Sequence, residues 1–246
     1  MNQSVVERRQ PAESQDQKGP GLKLTIRYVV RETLGLVGMA VALFWSAGKL
    51  DWWPAWAALG VMAGWMTGTA FVLFRLQPGL LAERLGRRRG SKSWDAAILS
   101  TLSLTQLARY IVAGLDERNG WTGGFPVAAQ IFALVLCVVS YALFVWALAS
   151  NAYFSQIVRI QSERGHTVAT GGPYRYVRHP GYLGAIVAEL AIPALLASWG
   201  AMAISGIGAL LLIIRTSLED RTLQAELPGY TAYASEVRYR LAPGVW

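Results

Sequence analysis

Cysteine is nearly absent from this sequence. Of 246 residues only Cys137 carries a thiol, and it lies inside an apolar run. A disulfide within the chain and a cysteine-built metal site are therefore excluded, and the thiol reads as core. Charge is also scarce at 15% of residues, and acidic groups are outnumbered by basic ones, 15 to 23, for a formal net charge of +8. A basic excess can mark a nucleic-acid binder, but such proteins gather lysine and arginine on a soluble face. Here the basic residues punctuate long apolar runs, so an anionic membrane surface is the expected partner and nucleic acid is not. No metal is expected. An apolar stretch ahead of a small-residue cleavage site is also missing from the first 22 residues, which are polar and mixed in charge through Pro20 and Gly21. They read as a disordered cytoplasmic tail.

What is abundant is hydrocarbon. Hydrophobic residues make up 53% of the chain and the mean hydropathy is +0.32, too apolar for an ordinary soluble domain. A span takes about 20 apolar residues. Candidate spans are Tyr28–Gly48, Trp53–Leu73, Asp95–Ala113, Phe125–Ala149 and a long stretch from Tyr182 to Ile214. The last is too long for one helix. A turn at Ser198-Trp199-Gly200 divides it into two paired helices, the second expected to be short and the first kinked at Pro193.

Basic residues crowd the tail (Arg8, Arg9, Lys18, Lys23, Arg27), one loop (Arg84, Arg87, Arg88, Arg89, Lys92) and another (Arg159, Arg164, Arg175, Arg178). All three belong on the cytoplasmic side. That requires the dilute stretch Asp95–Ala113 to cross as well. The expected fold is therefore all-α, a polytopic transmembrane bundle of about six spans with both termini inside. Gly60, Gly64 and Gly68 give the second span a smooth face. Such a face serves packing within the chain, the favoured reading, or a homodimer seam.

Polar chemistry concentrates in Gln161–Tyr182 and Arg215–Tyr239, which flank the last hairpin. Thr170-Gly171-Gly172-Pro173 breaks the chain out of helix, and Pro180 suits a first helical turn. The free N–H groups there would face an anion, while Tyr174, Tyr176 and Tyr182 offer aromatic faces to a cation. Arg215 and Glu219 share one helical face. Either they form an intrahelical ion pair, or Arg215 clamps an anionic group while Glu219 accepts from ribose hydroxyls or an amine. Arg109 and Glu189 lie within spans, where ionisable groups are costly. They either pair across the bundle or, for Glu189, line a substrate cavity. Alone, His166 reads as a loop histidine. His179, between Arg178 and Pro180 at a membrane boundary, reads either as an interfacial anchor or as a site residue.

The run Gly172-Pro173-Tyr174-Arg175-Tyr176-Val177-Arg178-His179-Pro180-Gly181-Tyr182-Leu183-Gly184 resembles the signature of the isoprenylcysteine carboxyl methyltransferase family. Arg215-Thr216-Ser217-Leu218-Glu219-Asp220, with Leu223, Tyr230, Tyr233, Val237 and Pro243, is similar to its closing element. Composition and hydropathy divide off a tail (1–22) and four N-terminal spans (23–150), and the resemblance marks the remainder (151–246) as a methyltransferase-like region. It implies an S-adenosylmethionine-dependent methyltransferase with a lipophilic or lipidated acceptor, carboxyl O-methylation of an isoprenoid or other lipid acid being the expected reaction.

Implied cofactor contacts are Gln161, His166, Thr167, Val168, Ala169, Tyr174, His179, Pro180, Gly181, Tyr182 and Glu219. Arg215 is implied on the substrate as the catalytic group; Glu189, about two helical turns beyond Tyr182, is a substrate-side candidate by helical spacing alone. The family often has acidic residues where this chain has Ser217 and Leu218. Two competing readings are an NADPH-dependent membrane lipid reductase, with Arg175, Arg178 and Arg221 for the 2′-phosphate, and a non-catalytic scaffold.

Overall fold

A computed structural model describes residues 21–86 and 90–246. The expected disordered tail, as far as residue 20, and Arg87, Arg88 and Arg89 lie outside the described residues. The chain is helical: α1 (Leu22–Ala47), α2 (Trp53–Phe71), α3 (Pro78–Leu85), α4 (Ser93–Asn119), α5 (Val127–Ala149), α6 (Pro180–Leu195), α7 (Trp199–Glu226) and α8 (Tyr230–Glu236). Five helices are long and apolar enough to cross a membrane, α2 counting with the π-helical turn Val72–Leu76 that extends it, and α6 is a shorter apolar helix. This is a polytopic helical membrane bundle.

Local sequence sets the ends. Gly48 and Gly120 adopt left-handed φ of 69° and 66°, which stop α1 and α4. Pro54 and Pro180 sit in the first turns of α2 and α6, where a missing N–H costs nothing. Ser198 caps α7 by accepting the Ala201 N–H at 3.1 Å.

The hairpin differs from expectation. Its first helix is the short one, α6 with 16 residues, and the second, α7, runs 28 residues without a break. The apolar run ends at Ile214, but no glycine or proline follows until Pro228, so the helix continues out of the apolar layer into polar sequence. Pro193 lies in the last turn of α6.

Packing places α4 between α1 and α7, and α6 against α5 and α7. At Gly184 the α6 backbone comes so close to α5 that an added Cβ would stand 2.6 Å from the Ser140 carbonyl oxygen. The glycine face of α2 is used only in part. Gly68 meets Val145 of α5, whereas Gly60 and Gly64 have nothing within 4 Å of an added Cβ and face outward. The favoured packing within the chain therefore holds for one of the three glycines. Helix α3, loop 150–179 and the C-terminal segment gather at one end of the bundle, where α7 projects.

Candidate functional site

Loop 150–179 is pinned from three sides. Asp95, fully buried at the start of α4, accepts the Val158 N–H at 2.8 Å and the Arg215 Nε–H at 2.7 Å. Arg215 also donates through Nη2 to the Gln156 carbonyl at 2.8 Å. Glu83 on α3 takes Arg159 at 2.6 Å, and that guanidinium holds its carboxyl below the usual range. Gln161 is the internal strut. Fully buried, it donates to the Tyr153 carbonyl at 2.9 Å, accepts from Arg164, and gives its backbone N–H to His166 Nδ1 at 3.2 Å. His166 stacks on Tyr153, the ring centroids 4.5 Å apart. Burial first, then Arg164 and Arg159, push its pKa below the usual histidine range, so the ring is a neutral acceptor at pH 7.

A second fastening sits on Asp220 of α7, which is also fully buried. Its carboxylate accepts from Arg178 Nε at 2.8 Å, Arg240 Nε at 2.9 Å, Gln224 Nε2 at 2.8 Å and Tyr230 Oη at 3.0 Å, with His179 Nε2 at 3.1 Å. Arg178 donates further to the carbonyls of Val237 and Arg238, at 2.9 and 2.8 Å. The backbone N–H groups of Arg178 and His179 bond the carbonyls of Tyr239 and Arg240, each at 2.9 Å. One carboxylate thus ties the start of α6 to α7 and to the chain beyond α8.

Between these fastenings lies a cavity of about 580 Å³, of the size that holds a small molecule. Thr167, Val168 and Ala169 line it, as do His166, Tyr174, His179, Gly181, Tyr182, Arg215 and Glu219. Eleven cofactor contacts are implied by the resemblance, and nine of them share this wall. Gln161 and Pro180 do not line it. The first is consumed by the loop's own hydrogen bonds, and the second only starts α6.

The Arg215–Glu219 ion pair does not form. Glu219 instead accepts the Tyr182 O–H at 2.5 Å, while Arg215 takes Asp95 and packs over the Tyr182 ring at 5.4 Å. Arg215 Nη1 has no hydrogen-bond partner among the described residues. The first α6 amide to bond is Leu183, to the His179 carbonyl, so the N–H groups of Gly181 and Tyr182 are uncommitted among the described residues. Burial raises the Tyr174 phenol well above its usual range, so it is a neutral donor and acceptor.

The cavity continues into the bundle. Met39 of α1, Met62 and Met66 of α2 and Phe144 of α5 line its inner arm, with Ser103 and Gln106 of α4 at its flank. Arg109 and Glu189 meet there, Nη1 to Oε1 at 2.8 Å, so the expected pairing across the bundle and the expected position beside a cavity are both observed.

Sequence reasoning gave no role to Asp95 or Asp220. Asp95 served only as a span boundary, and Asp220 stood unassigned beside Glu219. An acidic residue at the head of an apolar span was the available signal. The cavity offers the features a nucleoside needs: a carboxylate, uncommitted amides, aromatic faces and an apolar wall at Val168, Leu223 and Leu227. The residues present therefore suit S-adenosylmethionine.

Among curated proteins, the uncharacterized protein YpbQ of Bacillus subtilis (strain 168) is similar. It is 33% identical over 129 residues, covering 52% of this chain and 69% of the relative. The family model for isoprenylcysteine carboxyl methyltransferase (ICMT) matches residues 133–225, from α5 through the loop and hairpin to the last turn of α7. That stretch contains both fastenings' α7 partners and the cavity loop, and the chain belongs to the isoprenylcysteine carboxyl methyltransferase family.

Proposed function

We propose that this protein transfers a methyl group from S-adenosylmethionine to a lipophilic acceptor at the cytoplasmic face of a bacterial membrane, the reaction being carboxyl O-methylation of an isoprenoid or other lipid acid. The observation that carries the reading is the continuity of one cavity, polar where Glu219, His179 and Tyr174 line it and apolar where Met39, Met62 and Met66 do. Bound S-adenosylmethionine supplies an electrophilic methyl on a sulfonium. Glu219 suits the ribose hydroxyls, and Val168, Leu223 and Leu227 suit an adenine face. The amides of Gly181 and Tyr182 suit a carboxylate at the positive end of α6.

Methyl transfer is an in-line displacement, so the chain's task is to hold donor and acceptor in contact and keep water away. A carboxylate acceptor needs no base. An amine or hydroxyl acceptor must lose a proton, and His179, held on Asp220 through Nε2, is the side chain that would have to take it. The arginine placed at the transfer site, Arg215, favours the carboxylate. Arg215, fixed by Asp95 and Gln156, keeps Nη1 for the acceptor's second oxygen, which orients the attacking lone pair.

The reductase alternative loses one of its three phosphate-clamp arginines, because Arg178 is spent on Asp220 and main-chain carbonyls. The test is transfer itself. Membranes containing the protein, given methyl-labelled S-adenosylmethionine, should accumulate base-labile label in a neutral lipid methyl-ester fraction. Label that is stable to mild base would contradict carboxyl esterification, and no label above an Arg215→Lys control would contradict transfer.

A further inference from the structure

The inner arm of the cavity carries more hydrogen-bond donors than the protein uses. Arg109, 1% exposed, engages Glu189 through Nη1 and Tyr110 Oη through Nη2 at 3.0 Å, but its Nε–H has no partner. The Trp65 indole N–H is buried without a partner. The hydroxyl protons of Tyr110 and Tyr141 have no acceptor among the described residues. All four side chains line the arm, and Trp65 and Tyr141 stack with centroids 5.2 Å apart.

Glu189 Oε1, the one acceptor without a conventional hydrogen bond, is already the counter-charge of Arg109. A purely structural ion pair would account for Arg109, Glu189 and Ser205, which join α4, α6 and α7. It leaves the donors of Trp65 on α2 and Tyr141 on α5 without a purpose. An unspent buried donor costs free energy that packing alone would remove.

This donor station stands at a fixed distance from the transfer site. Glu189 follows Tyr182 by seven residues on α6. Its carboxylate rests on Gly208, where an added Cβ would be 2.6 Å away, and Gly208 precedes Arg215 by seven residues on α7. Both helices therefore give a separation of about 10 Å at 1.5 Å per residue.

From these observations we infer that the acceptor is a lipid acid with an oxo group part way along its apolar chain, and that Tyr141, Trp65 and Tyr110 bind the oxo oxygen. This deepens, and for the identity of the acid rests on, the methyltransferase reading. A site built to hydrogen-bond one substrate oxygen discriminates against an analogue lacking it.

The test is lipid binding by the purified full-length protein, measured by displacement of a labelled fatty acid. The competitors are a mid-chain oxo fatty acid and the unsubstituted acid of equal length. The oxo acid is expected to bind about tenfold tighter, the worth of one good buried hydrogen bond. Tyr141→Phe, which keeps the ring, and Trp65→Phe, which keeps an aromatic face without the N–H donor, should each reduce that preference to about threefold or less. Equal affinities in wild type, or a preference that survives both substitutions, would overturn the inference. S-adenosylhomocysteine binding is measured in the same preparation. Its absence alongside an intact oxo preference would defeat the methyltransferase reading and leave the donor station supported.

Discussion

Arg215 and Asp95 meet at 2.7 Å across 120 residues of sequence, in a pair with side chains 10% and 0% exposed. The contact does two things. It neutralises a guanidinium that would otherwise be buried alone, and through Val158 and Gln156 it fixes the loop that lines the cavity. Asp95→Asn removes the counter-charge but keeps the shape. It should cost about 3–5 kcal/mol, the penalty of breaking a buried pair from one side, read as a lowered melting temperature in detergent. An unchanged melting temperature would show that Arg215 finds another partner.

Asp220 gathers Arg178, His179, Arg240, Gln224 and Tyr230 on one carboxylate. Removing it strands two arginines and frees the C-terminal segment. Asp220→Ala should destabilise by a similar amount, about 3–5 kcal/mol, and should expose the chain after α8 to trypsin at Arg238 and Arg240. Limited proteolysis followed by mass measurement checks this. Wild-type resistance in the variant would contradict the role given to Asp220.

His166 gives a pH dependence with a definite sign. Its pKa in the folded chain is depressed by burial and by Arg164 and Arg159, so the folded state binds the proton less readily than the unfolded one. The stability it contributes is therefore fully present above the unfolded value of about 6.5 and is lost as pH falls from there through the folded pKa. Protonation also removes the Nδ1 acceptor of the Gln161 N–H. The melting temperature should fall between about pH 7.5 and about pH 5 more steeply in wild type than in His166→Phe, which keeps the stack on Tyr153. Parallel curves would exclude His166 as the titrating group.

Gly184 tests the closeness of α5 and α6. A Cβ there would sit 2.6 Å from the Ser140 carbonyl. Gly184→Val must push the helices apart and should cost about 1–3 kcal/mol, with weaker S-adenosylhomocysteine binding because Tyr182 rides on the same helix. A variant as stable as wild type would show that α6 shifts freely.

The spans and their common loop end were legible because apolar length and arginine placement are local quantities. Even the polar-diluted α4 was recovered, since two basic loops on one side demand an even number of crossings between them. The position where the hairpin divides was legible at Ser198, but not the lengths: α7 continues past Ile214 because nothing in Arg215–Gln224 opposes a helix. Nine of the eleven residues implied by the resemblance line one cavity, because a motif carries positions over one by one wherever the chain folds them. The partners of Arg215 and His179 could not be found, because Asp95 and Asp220 reach them through tertiary packing that sequence separation hides. The α2 glycines show the same limit, since a smooth face does not name what it meets.

Methyl transfer at this site requires the cavity to bind the nucleoside of S-adenosylmethionine through Glu219. The decisive measurement is calorimetric titration of the purified protein with S-adenosylhomocysteine and, separately, with NADPH. Binding of the first and none of the second is expected, with Glu219→Ala weakening the first by about tenfold or more, as loss of a charged hydrogen bond requires. Binding of NADPH alone, or equal S-adenosylhomocysteine affinity in wild type and Glu219→Ala, would contradict it.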